Sequence, residues 1–162
     1  MTALPEKLWH YTEKPLVLEP RAYEQKEPNK YGKPVGFWFS VEGEDDWPSW
    51  CISEDFCVNQ LAYRTPVKII GNVLCVTPET LPLFEHEHGF DLHFHQWTSR
   101  AIDWRRFAAR YDGIAIAPYS WWHRLSSSWY YPWDCASGCI WNLDALAVGE
   151  SEQHALPERV AT

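Results

Sequence analysis

Alternation of apolar and polar positions marks the first elements of the chain. In Lys7 to Thr12, with LWHYT at its centre, Leu8 and His10 fall on one side of an extended strand and Trp9 and Tyr11 on the other, and Pro15 ends the run. A second strand is expected over Val35 to Ser40, VGFWFS, where three consecutive rings follow a glycine. Between these two, Glu19 to Pro34 is charged and proline-bearing and reads as a short helix followed by a loop.

After the acidic turn EGEDD the period changes. Trp47, Trp50, Cys51, Phe56, Cys57 and Leu61 recur with helical spacing, with Asp46 as N-cap and Pro48 in the first turn. Val67 to Val76, VKIIGNVLCV, is β-branched and interrupted by Gly71 and Asn72, which suits one bulged strand or a hairpin. A short helix is expected from Thr77 to about Phe84, and another over Ala101 to Arg110. The run Ile114, Ile116 closed by Pro118, the run Cys139 to Trp141, and Leu146 to Val148 read as further strands. Short strands alternating with short helices predict an α+β fold with a mostly antiparallel sheet. One domain over residues 1–150 is expected, followed by a frayed polar tail over 151–162.

Composition sharpens this picture in two ways. Hydrophobic residues make up 46% and aromatic residues 16% of the 162 positions, with 11 Trp, so the apolar area exceeds what a core needs and some rings are available to a ligand. The net charge is -8, from 14 Lys and Arg against 22 Asp and Glu, with no basic run, which excludes a general nucleic-acid coat. Five cysteines in no repeated framework and an N-terminus without an apolar signal region predict a reduced, cytoplasmic protein. No apolar run approaches the ~20 residues that cross a bilayer, so no membrane association is expected.

Four constellations bear on chemistry. His86, His88, His93 and His95 form two H-x-H pairs around Asp91, the raw material of a zinc site and hence of a zinc-dependent hydrolase. A solvated loop with scattered histidines has the same pattern, and no metal is assigned. The cysteines all sit in apolar runs, where burial raises the thiol pKa and leaves it inert.

The third constellation is the segment between the strands at Ile114 and Cys139. It holds Trp121, Trp122, Trp129, Tyr130, Tyr131 and Trp133, a set suited to recognising a planar base or a cationic side chain, or to closing the core as a lid. The fourth is His10, Trp38 with Ser40, and Asp134, drawn from three strand regions. Asp134, between Trp133 and Cys135, either stands at the wall of a cleft or caps a turn around Ser137 and Gly138.

LWHYT, then GFWFS after a proline-bearing loop, a helix starting near Trp47, and later YDGIAI with an aromatic loop and an acid before a strand together resemble the ADP-ribosyltransferase-like superfamily, over roughly residues 7–148. One group of that superfamily carries a His on the first strand, a Tyr on the next signature strand and a Glu late in the chain. The resemblance implies NAD as co-substrate, with His10, Tyr11 and Thr12 near the adenosine ribose, Trp38 in place of the tyrosine stacked on nicotinamide, and Ser40 as a cofactor-binding residue similar to the serine of a second, Arg-Ser-Glu, group. It also implies Asp134 as the acid that stabilises the cation formed as nicotinamide leaves. ADP-ribose would pass to a macromolecular acceptor or to water, with the aromatic segment reading the acceptor. The chain departs from the pattern by Trp for Tyr and Asp for Glu. A non-catalytic nucleotide- or protein-binding module is the alternative, and small size with acidic charge also suits a phage-encoded anti-defence factor that binds a basic partner.

Overall fold

The computed structural model describes residues 3–28 and 32–156, which form an α+β domain built on one curled, mixed sheet with four short helices. Strands β1 (Leu8–Thr12), β2 (Phe37–Val41), β3 (Tyr63–Ile69), β4 (Val73–Val76), β7 (Gly113–Ile116), β8 (Ser137–Ile140) and β10 (Glu152–Gln153) run in the order β10-β3-β1-β2-β8-β7-β4. Strand β9 (Leu146–Val148) lies beside β3, and β5 (Gly89–Phe94) pairs with β6 (Trp97–Ile102) in a separate hairpin. All pairings are antiparallel except β4 with β7.

Register divides the sheet into two faces, because opposed residues share a side and neighbours in sequence do not. Trp9 opposes Ser40, Ser40 opposes Ser137, and Trp38 opposes Cys139, which opposes Ile114. This face joins Ile114, Ile116 and Val76 to the larger core, where Phe84, Trp104, Phe107, Trp129 and Trp133 pack. The other face carries Leu8, Phe37, Phe39, Ala115 and Ile140, covered by Ala145 and Leu146. Gly138 lies opposite Phe39, and a Cβ there would come within 2.2 Å of the Phe39 ring and 2.5 Å of the Ile114 carbonyl oxygen, so the close strand packing requires glycine.

Helix α1 (Trp47–Glu54) starts as expected, with the Asp46 carboxylate accepting from the Ser49 N–H at 3.0 Å. It stops about two turns early, at Glu54 rather than Leu61. Asp55 and Cys57 both adopt left-handed backbone at φ 49°, and a 3₁₀ turn over Val58–Leu61 follows. Phe56, expected on the buried side, is therefore 52% exposed.

The run Val67 to Val76 is neither a bulged strand nor a hairpin. Its halves sit near opposite ends of the sheet, separated where the Ile70 and Gly71 N–H groups bond to the Ala145 carbonyl. Helix α2 (Leu81–His88) begins after a turn at Thr77–Thr80 and runs past Phe84. Ala101 and Ile102 belong to β6, and α3 covers only Trp104–Ala108, capped by Asp103. Residues 13–28 and 32–36 hold no helix; Gln25 instead pairs twice with the Val35 backbone, each bond 2.8 Å.

The aromatic segment contains helix α4 (Trp121–Ser126), capped by Ser120. The start of the expected tail is also ordered. Ser151 Oγ bonds the Leu16 N–H at 2.8 Å and Thr65 Oγ1 at 2.7 Å, and β10 follows it; residues 157–162 lie outside the described residues. Among the described residues no helix is long and apolar enough to cross a membrane.

Candidate functional site

The face of the sheet that carries Trp9, Trp38 and Ser40 supplies much of the wall of one cavity. A space of about 250 Å³ opens where β1, β2 and β8 meet the start of α1. Trp38, Ser40 and Asp134 line it, with His10, Tyr11 and Trp133, so six of the residues expected from the sequence border it. Trp9, Lys33, Trp47, Gln60 and Ser137 also line it, without having been expected there. Trp9 was open to inference, since it shares the side of the strand taken by Tyr11 and its partner is Ser40.

His10 borders the cavity, but its ring belongs to the other face. It stacks on Phe37 with ring centroids 4.1 Å apart, and its Nδ1 lies 2.6 Å from the Trp38 carbonyl oxygen. Because a carbonyl only accepts, Nδ1 carries the proton. Burial lowers the pKa of this imidazole, partly opposed by the Trp38 carbonyl, so the ring is neutral at pH 7 and ties β1 to β2. Thr12, the third residue of the expected ribose contact, does not line the cavity.

The same desolvation lowers the pKa of His88 and His123. An unfolded histidine takes up a proton as pH falls through 6.5, whereas these folded ones resist until lower pH. The unfolded state then binds more protons, so stability is expected to fall as pH drops from about 7.5 to about 5.5. Thermal melts across that range check this, and His10→Asn, which keeps a donor toward Trp38 but cannot titrate, is expected to flatten part of the decline.

Asp134 does not cap the turn at Ser137; the Ser137 hydroxyl bonds the Cys135 carbonyl instead. Its carboxylate accepts from Arg124 Nη1 at 2.9 Å, and it is the one carboxylate among the described residues lining the cavity. Arg124 also donates to the Tyr119 hydroxyl at 3.0 Å and the Trp133 carbonyl at 3.3 Å. The guanidinium lies 4.8 Å from the ring centroids of both Trp50 and Tyr131. The acid is thus held in place by a cation that is itself fixed on four sides.

Two further positions are committed to structure as well as to the cavity. Ser40 Oγ accepts from the Trp47 N–H at 2.9 Å, which orients the first residue of α1. Trp38 meets Trp133 edge-on at 5.0 Å, and Lys33 lies 4.9 Å from the Trp38 ring centroid. The indole N–H groups of Trp9 and Trp133 are shielded from water and find no acceptor among the described residues. A buried donor without a partner costs about 1–3 kcal/mol.

That deficit gives Trp133 a measurable signature. Trp104 is equally buried, but its indole N–H donates to the Gly32 carbonyl at 2.9 Å. Phe in either place removes the same atoms, yet only Trp104→Phe breaks a hydrogen bond. Urea unfolding is expected to show Trp133→Phe less destabilising than Trp104→Phe by about 1 kcal/mol.

The six rings expected to read a target divide in two. Trp129, Tyr130 and Trp133 are within 1% of complete burial and belong to the core. Trp121, Trp122 and Tyr131 are each more than half exposed and are not among the residues lining the cavity at Trp38 and Asp134. The histidines do not form a metal centre: His86 and His88 ride on α2, His93 lies 3.3 Å from Thr98 Oγ1, and His95 occupies the β5–β6 turn. Among the described residues no group of three or more His, Cys, Asp or Glu is placed to hold a metal ion. Burial raises the thiol pKa of Cys51 and of Cys135 to about 12, and raises that of Cys75 and Cys139, so none of these is a thiolate at neutral pH.

No family model, curated protein or solved structure matches this chain.

Proposed function

We propose that the protein has an ADP-ribosyltransferase-like fold and binds NAD through its nicotinamide-ribose end, in the cavity between Trp38 and Asp134. The observation that carries this reading is the meeting of Trp38, Ser40 and Asp134 on one cavity, from β2 and the segment before β8. Small-molecule sites are typically ~300–1,000 Å³. At about 250 Å³ this one suits a ring and its sugar, with the remainder of a dinucleotide outside it.

Chemically, the bond between the ribose anomeric carbon and the pyridinium nitrogen breaks and its electron pair leaves with nicotinamide. Positive charge then grows on the ribose. A fixed carboxylate at Asp134 favours that charge in a partly desolvated wall, and water or an acceptor nucleophile bonds to the ribose carbon and loses a proton. Trp38 and Trp133 offer ring surfaces to the planar leaving group. His10 serves this arrangement by holding the Trp38 backbone rather than by touching ligand.

One feature favours a second reading, a binding module without turnover. Arg124 already neutralises Asp134 and stands where it would oppose a developing cation. Thermal unfolding with and without NAD, followed in the same tubes by assay for free nicotinamide, separates the two. A shift with release supports catalysis, a shift without release supports the module, and neither shift nor release removes NAD from the account.

A further inference from the structure

The exposed rings of α4 have no role in the cavity or the core. Trp121, Trp122 and Leu125 are 52%, 71% and 84% exposed, on a helix whose His123 side is buried. Large side chains placed together in water mark an interaction surface. Its neighbour is acidic. The Trp121 indole N–H donates to Asp45 Oδ1 at 3.1 Å, and Asp45, with Glu42 and Glu44, lines a groove of about 410 Å³ whose apolar wall includes Val41, Pro118 and Tyr119. Trp121 also meets Tyr119 edge-on at 4.9 Å, so helix face and groove are continuous. Among the described residues, no Lys or Arg lines the groove. Lys7, itself 75% exposed, pairs with Glu42 at 3.6 Å, an interaction of little strength that a partner's cation can replace.

We infer that this surface docks an arginine-bearing basic segment of a partner protein. Guanidinium groups combine the two contacts on offer, stacking on an indole face and forking onto a carboxylate. The chain makes that combined contact internally, where Arg124 lies on Trp50 and Tyr131 and bonds Asp134. A second copy of the chain is a poor occupant, since it brings the same -8 charge and the same acids. A nucleic-acid backbone would be repelled for the same reason. The inference is independent of NAD binding in the cavity.

The test uses the 162-residue chain and three synthetic peptides of equal length, alternating Gly and Ser with Arg, Lys or Glu, titrated by calorimetry at physiological salt. The Arg peptide is expected to bind, the Lys peptide several-fold more weakly, and the Glu peptide not at all. Trp122→Ala and Leu125→Ala leave the net charge unchanged and, being exposed, the melting temperature nearly so. Each is expected to weaken Arg-peptide binding about 10-fold, in line with loss of an aromatic or apolar anchor. Asp45→Asn is expected to weaken it and to flatten its salt dependence. Binding that is absent, that ignores Trp122→Ala, or that treats Arg and Lys alike overturns the inference. So does a dimer in sedimentation that Trp122→Ala dissolves, because the face is then self-associating.

Discussion

Asp134→Asn is expected to slow nicotinamide release from NAD by about 10²- to 10³-fold, the range found when one group that stabilises transition-state charge is removed. Asn keeps the shape of the side chain and can still accept from Arg124 Nη1, which lies 2.9 Å from Oδ1, so the loss isolates the charge. Asp134→Ala is expected to match that loss and add a structural cost. Arg124, with a side chain only 13% exposed, would keep Tyr119 and the Trp133 carbonyl but lose the Asp134 carboxylate. Because Asp134 itself is 27% exposed, the cost should be about 2 kcal/mol, below that of breaking a fully buried pair. Initial rates of nicotinamide release and urea unfolding of the same preparations measure the two effects separately. An Asp134→Asn protein as fast as the parent would sink the catalytic reading while leaving NAD binding to stand on the thermal shift.

Much of the sheet was legible in the sequence, and the reason is local. LWHYT, FWFSV and GIAI alternate or run apolar over their whole length, and each became a strand within a residue or two of its expected bounds. Asp46 announced α1 because capping chemistry lies within four residues of itself. What could not be read depends on partners distant in sequence. The pattern from Trp47 to Leu61 keeps helical spacing, yet two left-handed residues break it, and nothing in the local periodicity distinguishes Phe56 exposed from Phe56 buried. Gly71 and Asn72 signalled an interruption, but that β3 and β4 part to opposite ends of the sheet follows from Ala145, more than seventy positions later.

The site shows the same division. Trp38, Ser40 and Asp134 line one cavity because β2 pairs with β8, whereas the His10 ring faces away for a reason already present in the alternation of LWHYT. If Trp9 lines the cavity, its neighbour on the strand points to the other side. Arg124 gave no signal, because its partners Trp50, Tyr119, Tyr131 and Asp134 come together only in the folded chain.

Trp129→Ala is expected to be the most damaging single change in the aromatic segment, destabilising by about 3–5 kcal/mol. The ring is fully buried, with Phe84, Trp104 and Tyr130 centroids at 5.6, 6.3 and 5.5 Å. Its N–H donates to Glu85 Oε2 at 3.0 Å, the oxygen that also accepts from Ser127 at 2.8 Å. Truncation therefore leaves a large void and strips one donor from a carboxylate that Arg100 approaches at only 3.5 Å. Domains have about 5–15 kcal/mol in all, so a large part of the stability would go, visible as a melting temperature lower by roughly 10 °C. Trp122→Ala, seven positions earlier and 71% exposed, is expected to change stability by no more than about 0.5 kcal/mol. The intermediate substitution Trp129→Phe separates the ring from its hydrogen bond, and about 1 kcal/mol of the loss is expected to belong to the Glu85 contact. Comparable effects at 122 and 129 would mean that α4 also seals the core, and its exposed rings would then be structural instead of available to a partner.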